Sequence, residues 1–182
     1  MKVIAVLGSP HEDGPSSTIA RRVLDGARDA GHEVKVYEIN KMDVRGCQGC
    51  RHCKENNVDC ILDDALKPYW KELHSAGALV VSAPNYASNI CGPMITYMNR
   101  HYCLLDKDWK VRVHPGIKLI GVFSQGRPEH NAFFDANYKW YLADFQNRKM
   151  ELVDMIVHMG RESTAQDSPV MKRAYEAGKG LS

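Results

Sequence analysis

The sequence predicts an α/β fold: one five-stranded parallel sheet with helices on both faces. Three observations predict it. Short apolar runs rich in β-branched residues recur along the chain, as strands buried on both faces do. Each run is followed by a stretch with apolar residues at helical spacing. Glycine, proline and serine punctuate the joints. Alternation of this kind makes a parallel sheet, and right-handed crossovers then restrict its topology.

The first strand is Lys2-Val3-Ile4-Ala5-Val6-Leu7, ended by Gly8. Ser16-Ser17-Thr18 open a helix carrying Ile19, Val23, Leu24 and Ala27, and Gly31 ends it. Val34, Val36 and Ile39 mark the second strand. Asp63 or Asp64 is expected to cap a helix through Leu66, Trp70 and Leu73. The third strand, Ala78 to Ala83, should stop at Pro84. Beyond Gly92 a helix carries Ile95, Met98 and Tyr102. Ile117 to Phe123 is the fourth strand, followed by a helix from about Asn131 to Asn147. Leu152 to Val157 is the fifth. Ser168-Pro169 should start the last helix, with Ser as cap, and Gly178 should end it. Five strands suit the flavodoxin-like order 2-1-3-4-5 better than the six-strand dinucleotide fold.

At 182 residues and 20.5 kDa the chain is read as a single domain, residues 1–182, with a cysteine-rich insertion at about 45–62. A net charge of +2 argues against nucleic acid or a membrane surface as partner. No apolar run approaches the ~18 residues needed to span a bilayer. The apolar stretch Val3–Leu7 is too short for a signal peptide, and His11, Glu12 and Asp13 follow closely. A cytoplasmic location is therefore expected, where clustered cysteines mean metal or redox chemistry more often than disulfides.

Four of the six cysteines lie in one loop, Cys47, Cys50, Cys53 and Cys60, spaced C-x2-C-x2-C-x6-C. Thiolates so close can converge on one soft metal centre. Zinc sites usually come as two C-x2-C knuckles across a longer span. Three cysteines at successive x2 intervals, with a fourth further on, favour an iron–sulfur cluster over zinc. Free or redox-paired thiols are the remaining reading. Cys91 and Cys103 read as buried apolar thiols, and Trp70, Trp109 and Trp140 as core or interface. Lys172-Arg173 read as a solvated helix face, and His101 has no assigned role.

In open parallel sheets, ligands bind beyond the carboxyl ends of the strands at the topological switch point, here between strands one and three. Three loops meet there: Gly8–Thr18, Pro84–Gly92 and Ser124–Glu129. The first joins a strand to a helix N-terminus, so free N–H groups and the helix dipole favour an anion. Ser9, Ser16, Ser17 and Thr18 add hydroxyls. It lacks the Gly-Lys-Ser/Thr of a triphosphate loop and the G-x-G-x-x-G of a dinucleotide fold. Donors without lysine suit a terminal monophosphate, as in FMN. Tyr86 can stack on or border a flat heterocycle. Gly8-Ser9 and Pro84 replace the acids of a phospho-acceptor receiver, and no C-x5-R phosphatase loop follows strand one.

Gly8-Ser9-Pro10 with the hydroxyl-rich loop, the cysteine loop ending in Cys60-Ile61-Leu62-Asp63-Asp64, and Ser82-Ala83-Pro84-Asn85-Tyr86 together resemble the NADPH-dependent FMN reductase family of flavodoxin-like proteins. Within it, the cysteine spacing resembles the iron–sulfur flavoproteins of anaerobes. The resemblance implies FMN on the carboxyl edge, its phosphate on Ser9, Ser16, Ser17 and Thr18, with His11 where relatives often carry Arg. It implies a flavin ring along Pro84, Asn85, Tyr86, Ser88, Asn89 and Ile90, closed on the far side by Ser124 and Gly126. Cys47, Cys50, Cys53 and Cys60 would hold a 4Fe–4S cluster. The implied activity is electron transfer between NAD(P)H, or a carrier such as ferredoxin, and an acceptor, in a homodimer or homotetramer. No side-chain acid or base is required, so no catalytic residue is expected. The alternatives are a cluster-free FMN reductase, an electron carrier without its own substrate, or a zinc-stabilised non-catalytic module. Two departures stand out. Pro15 removes a possible N–H donor to the phosphate, and Ser124-Gln125-Gly126-Arg127-Pro128 is less glycine-rich than the loop common in the reductases.

Overall fold

A computed structural model describes residues 1–182. The β-branched runs form the expected sheet. In chain order the elements are β1 (Lys2–Leu7), α1 (Pro15–Asp29), β2 (Glu33–Glu38), α2 (His52–Asn56), α3 (Lys67–Leu73) and β3 (Ala76–Tyr86). Then come β4 (Asn89–Ile90), α4 (Gly92–Arg100), β5 (Lys118–Gln125), α5 (Ala132–Gln146), β6 (Glu151–Met159) and α6 (Pro169–Lys179). The sheet order is β2-β1-β3-β5-β6, with the two-residue β4 folded back antiparallel onto β3. The five long strands are all parallel and keep the flavodoxin-like order 2-1-3-4-5.

Alternation along β1 explains the two-sided burial. Val3, Ala5 and Leu7 face a core shared with Ile19, Val23 and Leu24 of α1 and with Met171 and Ala174 of α6. Ile4 and Val6 face the opposite core, built with Tyr69 and Trp70 of α3, Tyr97 of α4, and Tyr138, Tyr141 and Phe145 of α5. The first core is aliphatic and thin; the second is aromatic and thick.

Several local expectations are corrected. β3 does not stop at Pro84 but runs to Tyr86. Its pairing with β1 ends at Ser82, so Pro84 owes no ladder N–H on that side. Ala87 and Ser88, both at positive φ, then turn the chain into β4. Asp64 is not a helix cap by position: α3 begins at Lys67, and the Asp64 carboxylate instead takes the Leu66 N–H and a buried guanidinium. Ser168 stands before Pro169 as expected, but its hydroxyl makes no cap bond. Gly178 lies inside α6; a Cβ there would run into the Val23 carbonyl of α1. It is a close-approach glycine, and Gly26, facing Tyr175 of α6, is its counterpart. Tyr102 falls beyond α4, in the 3-10 turn His101–Leu104. Arg173 is not freely solvated, since it pairs with Asp154 at 2.5 Å. No helix is long and apolar enough to cross a membrane.

Candidate functional site: a neutral cleft and a thiol cavity

The carboxyl ends of β1, β3 and β5 open into a cleft of about 220 Å³. Ser9, His11, Gly14, Pro15 and Ser16 form one wall and Pro84, Asn85 and Tyr86 the second. Ser124, Gln125 and Gly126, with His158 and Gly160, form the third. No lysine or arginine lines it.

The first wall is the mouth of α1. Helix geometry leaves the first N–H groups, those of Ser16 and Ser17, without intrahelical partners. The Ser16 hydroxyl is 1% exposed and has no hydrogen-bond partner. A buried hydroxyl left unpaired costs about 1–3 kcal/mol. Its position at a helix N-terminus, where the dipole favours negative charge, marks it as a donor waiting for an anion. FMN's phosphate fits this cradle. Ser9 shapes the approach, its Oγ accepting the His11 N–H at 3.1 Å.

A buried network ties the other two walls together. The Asn85 amide donates to the Tyr138 hydroxyl at 3.1 Å, and that hydroxyl donates to Gln125 Oε1 at 3.0 Å. Gln125 Nε2 donates to the Glu129 carbonyl at 2.9 Å, holding the loop beyond β5. The Tyr138 ring stacks on Phe123 with centroids 4.5 Å apart. The two lips are thus set by core packing. Tyr86 is 48% exposed at the rim, free to meet a ring.

Of the thirteen sequence-predicted cofactor residues, Ser9, His11, Ser16, Pro84, Asn85, Tyr86, Ser124 and Gly126 line the cleft. Ser17, Thr18, Ser88, Asn89 and Ile90 do not. Ser17 is buried just behind Ser16. The Thr18 hydroxyl donates to the Asp13 carbonyl, which turns it back into its own loop. Asn89 Oδ1 accepts the Ile90 N–H, and the Ser88 carbonyl accepts from Asn137 of α5. Sequence reasoning missed Gln125 and His158. Gln125 sat inside the loop singled out after the fourth strand; His158 stands one residue past the fifth strand's expected end, with no motif around it.

The second cavity is small and tight. Cys47, Cys50, Cys53 and Cys60 all line it, together with Arg100, Tyr102 and Cys103. All six cysteines are free thiols; Cys47 and Cys50 are exposed, Cys53 is buried and Cys60 half-buried. Gly49 and Arg51 adopt positive φ, 63° and 59°, which bend the loop between Cys47 and Cys53. For Arg51 that conformation costs about 1–2 kcal/mol. No group of three or more His, Cys, Asp or Glu side chains is placed to hold a metal ion. Burial pushes the Cys53 thiol up, and the buried Cys103 thiol up to about 12.

Cations clamp this loop from behind. Arg100 and Asp64 form an ion pair at 2.5 Å with both side chains essentially inaccessible, and Arg100 also donates to the Arg45 carbonyl. Burial alone would raise the Asp64 carboxyl. Hydrogen bonds from Arg100 and the Arg45 N–H outweigh it and hold that carboxyl below its usual range. Lys54, next to Cys53, is buried over the Tyr102 ring at 4.1 Å and donates to the Leu105 carbonyl at 2.6 Å. Arg112 donates to the Val58 and Cys103 carbonyls. Cys91 is buried behind Gly8; Trp70 is core, whereas Trp109 and Trp140 are largely exposed.

A flavodoxin-like sheet whose switch point carries a lysine-free anion cradle defines the class: an FMN-binding α/β protein. The chain belongs to the NADPH-dependent FMN reductase family, which matches residues 1–127. It is 27% identical over 111 residues to an iron-sulfur flavoprotein of Methanocaldococcus jannaschii, covering 61% of this chain and 56% of that protein. A second iron-sulfur flavoprotein of that organism is 27% identical over 100 residues, covering 55% and 51%. The chain thus spans about half the length of the curated relatives it matches. Among solved structures, an NAD(P)H:quinone oxidoreductase from Methanothermobacter marburgensis superposes over 100% of this chain and 96% of its own, with TM-score 0.77. At 17% identity that likeness speaks for the fold.

Proposed function

We propose that this chain is an FMN-dependent oxidoreductase that moves electrons between NAD(P)H, or a reduced carrier of the ferredoxin kind, and an acceptor, with a 4Fe–4S cluster on Cys47, Cys50, Cys53 and Cys60. The observation that carries the flavin half is the unpartnered Ser16 hydroxyl at the mouth of α1, inside a cleft without fixed cations. The relatives named iron-sulfur flavoproteins and the four thiols around one cavity support the cluster half.

Bound FMN supplies a ring that accepts a hydride or single electrons. The residues here bind and orient it. Ser9, Ser16 and the free N–H groups of α1 hold the phosphate, with His11 beside them. Asn85 and Gln125, locked through Tyr138, fix the backbone that borders the ring. Tyr86, exposed at the rim, would border the ring and limit water there. Lys54, buried beside Cys53, would offset part of the anionic charge of four thiolates, whereas Arg100 is already neutralised by Asp64. No side chain is assigned a proton-transfer role. A homodimer or homotetramer in the cytoplasm belongs to the same proposal.

Anaerobic purification with flavin, iron and labile-sulfide analysis tests it. One FMN and about four irons per chain are expected, with bleaching of the flavin band on adding NAD(P)H. A yellow protein without iron leaves a cluster-free FMN reductase. Zinc without flavin leaves a zinc-stabilised module. Flavin reduced by a carrier but never by NAD(P)H leaves an electron carrier.

A further inference from the structure

The cleft has a second buried polar atom without a partner. His158, near the end of β6, is 2% exposed and lines the cleft beside Gly126 and Gly160. Its backbone pairs in register with Ser124, so it belongs to the third wall. Its Nε2 lies 2.9 Å from the Glu162 carbonyl oxygen. A carbonyl only accepts, so Nε2 carries the hydrogen. In the neutral ring this tautomer leaves Nδ1 as a bare acceptor. Nδ1 is buried and has no hydrogen-bond partner.

The ring cannot readily turn away. The Met159–Glu162 turn is closed by the Glu162 N–H on the Met159 carbonyl and by the Gly160 N–H on the Gln125 carbonyl. Gly160, at φ 60°, is pressed against Pro128, where no Cβ would fit. The turn is therefore anchored to the cleft's own lip. A fixed, desolvated acceptor beside a ligand cleft is compensated when a water, or a ligand that displaces it, brings a donor to it.

The geometry points to His158 as a flavin-positioning residue: its Nδ1 accepts a hydrogen bond from a donor group of the bound flavin, an N–H of the ring or a hydroxyl of the ribityl chain. This rests on the flavin reading above and adds to it a contact from the fifth long strand. His158 touches no reacting atom in this assignment. It selects for a ligand that presents O–H or N–H at that wall.

Two substitutions separate the ring's two nitrogens. His158→Gln keeps an N–H placed like Nε2 for the Glu162 carbonyl and loses the Nδ1 acceptor. His158→Asn keeps an acceptor placed like Nδ1 and loses the turn bond. The apoprotein is titrated with FMN, riboflavin and lumiflavin, following quenching of flavin fluorescence. His158→Gln is expected to weaken FMN about tenfold, and His158→Asn by less than about threefold. Loss with FMN and riboflavin but not lumiflavin assigns the donor to the ribityl chain; equal loss with all three assigns it to the ring. His158→Gln binding as well as the wild type overturns the proposal. So does His158→Asn binding as weakly as His158→Gln, since the turn would then be what matters. If His158→Gln does not fold, the nitrogen-15 resonance of the wild-type Nδ1 decides. A shift away from the bare-acceptor position on adding FMN supports the contact, and an unmoved resonance overturns it. A wild-type protein that binds no flavin at all removes the flavin reading, and this contact with it.

Discussion

The cleft and the thiol cavity solve opposite problems. The cleft is made by the ends of three paired strands, and its walls are held by core residues such as Tyr138 and Phe123. Two side-chain atoms of residues that line it, Ser16 Oγ and His158 Nδ1, make no hydrogen bond within the fold. The thiol cavity is made by a loop with little regular structure of its own, bent through left-handed residues and held by buried cations. There the supporting charges are engaged by the protein itself, Arg100 by Asp64 and the Arg45 carbonyl and Lys54 by the Leu105 carbonyl, with only the Arg100 Nε left unpaired. The lesson is that a site on a sheet edge can carry idle polar groups, because the scaffold is stable without them. A site on a loop has to recruit stabilising charges.

The sharpest way to break this contrast is at Arg100. Replacing it by Gln strands the Asp64 carboxylate, 1% exposed, without its counter-charge. A loss of about 3–5 kcal/mol of unfolding free energy is expected, measured by chemical denaturation of the apoprotein. Adding Asp64→Asn should recover much of that loss, because no uncompensated charge then remains buried. The same pair sets an acid limit. The Asp64 carboxyl titrates below its usual range in the folded chain. Its stabilisation is therefore complete above the unfolded value of about 4 and disappears as pH falls through the folded value. An acid titration of wild type against the double variant should show a steeper loss in the wild type below about pH 4. Parallel curves would refute the role given to the pair.

A smaller effect is expected at Gly178, which ties the scaffold to the cleft. Ala there must push α6 off the Val23 carbonyl of α1. Overpacking of this kind costs about 1–3 kcal/mol. Because the cleft lies at the N-terminal end of α1, away from this contact, thermal unfolding should fall while flavin affinity changes little, the shift being taken up at the α6 end. A large affinity loss would mean that α1 moves as a rigid rod.

Much of this was legible in the residues. The strands followed from β-branched runs such as Lys2–Leu7 alternating with helical patterns, and their order from the crossover and topology rules for five-stranded parallel sheets. The three loops at the cleft followed from one rule, that ligands sit where crossovers diverge, and the eight predicted residues that line it followed from the family resemblance. What was hidden depends on contacts distant in sequence. Gly178 looks like a helix stop until Val23 is seen against it. Asp64 looks like a cap until Arg100, thirty-six residues later, claims it. Thr18 reads as one more donor, yet its hydroxyl turns back to Asp13. His158 has no pattern at all, since an edge strand's exit into the cleft is fixed by its pairing with β5.

A gain rather than a loss of stability, and the most informative affinity effect, meet at Ser16. Its hydroxyl has no partner to lose, so Ser16→Ala removes a desolvated polar atom and leaves α1 packed as before. Unfolding free energy of the apoprotein should therefore not fall, and should rise by up to about 1–3 kcal/mol as the unpaired hydroxyl no longer has to be buried. A hydrogen bond to a charged phosphate is worth about 1.5–3 kcal/mol, so FMN should bind roughly 10–100-fold more weakly. Riboflavin, which lacks the phosphate, should bind both forms alike. That combination separates Ser16 from Arg100: one residue is idle until the ligand arrives, the other is committed before it does. Equal weakening of FMN and riboflavin would place the phosphate elsewhere, and the division between an idle sheet edge and a braced loop would fail at its clearest point.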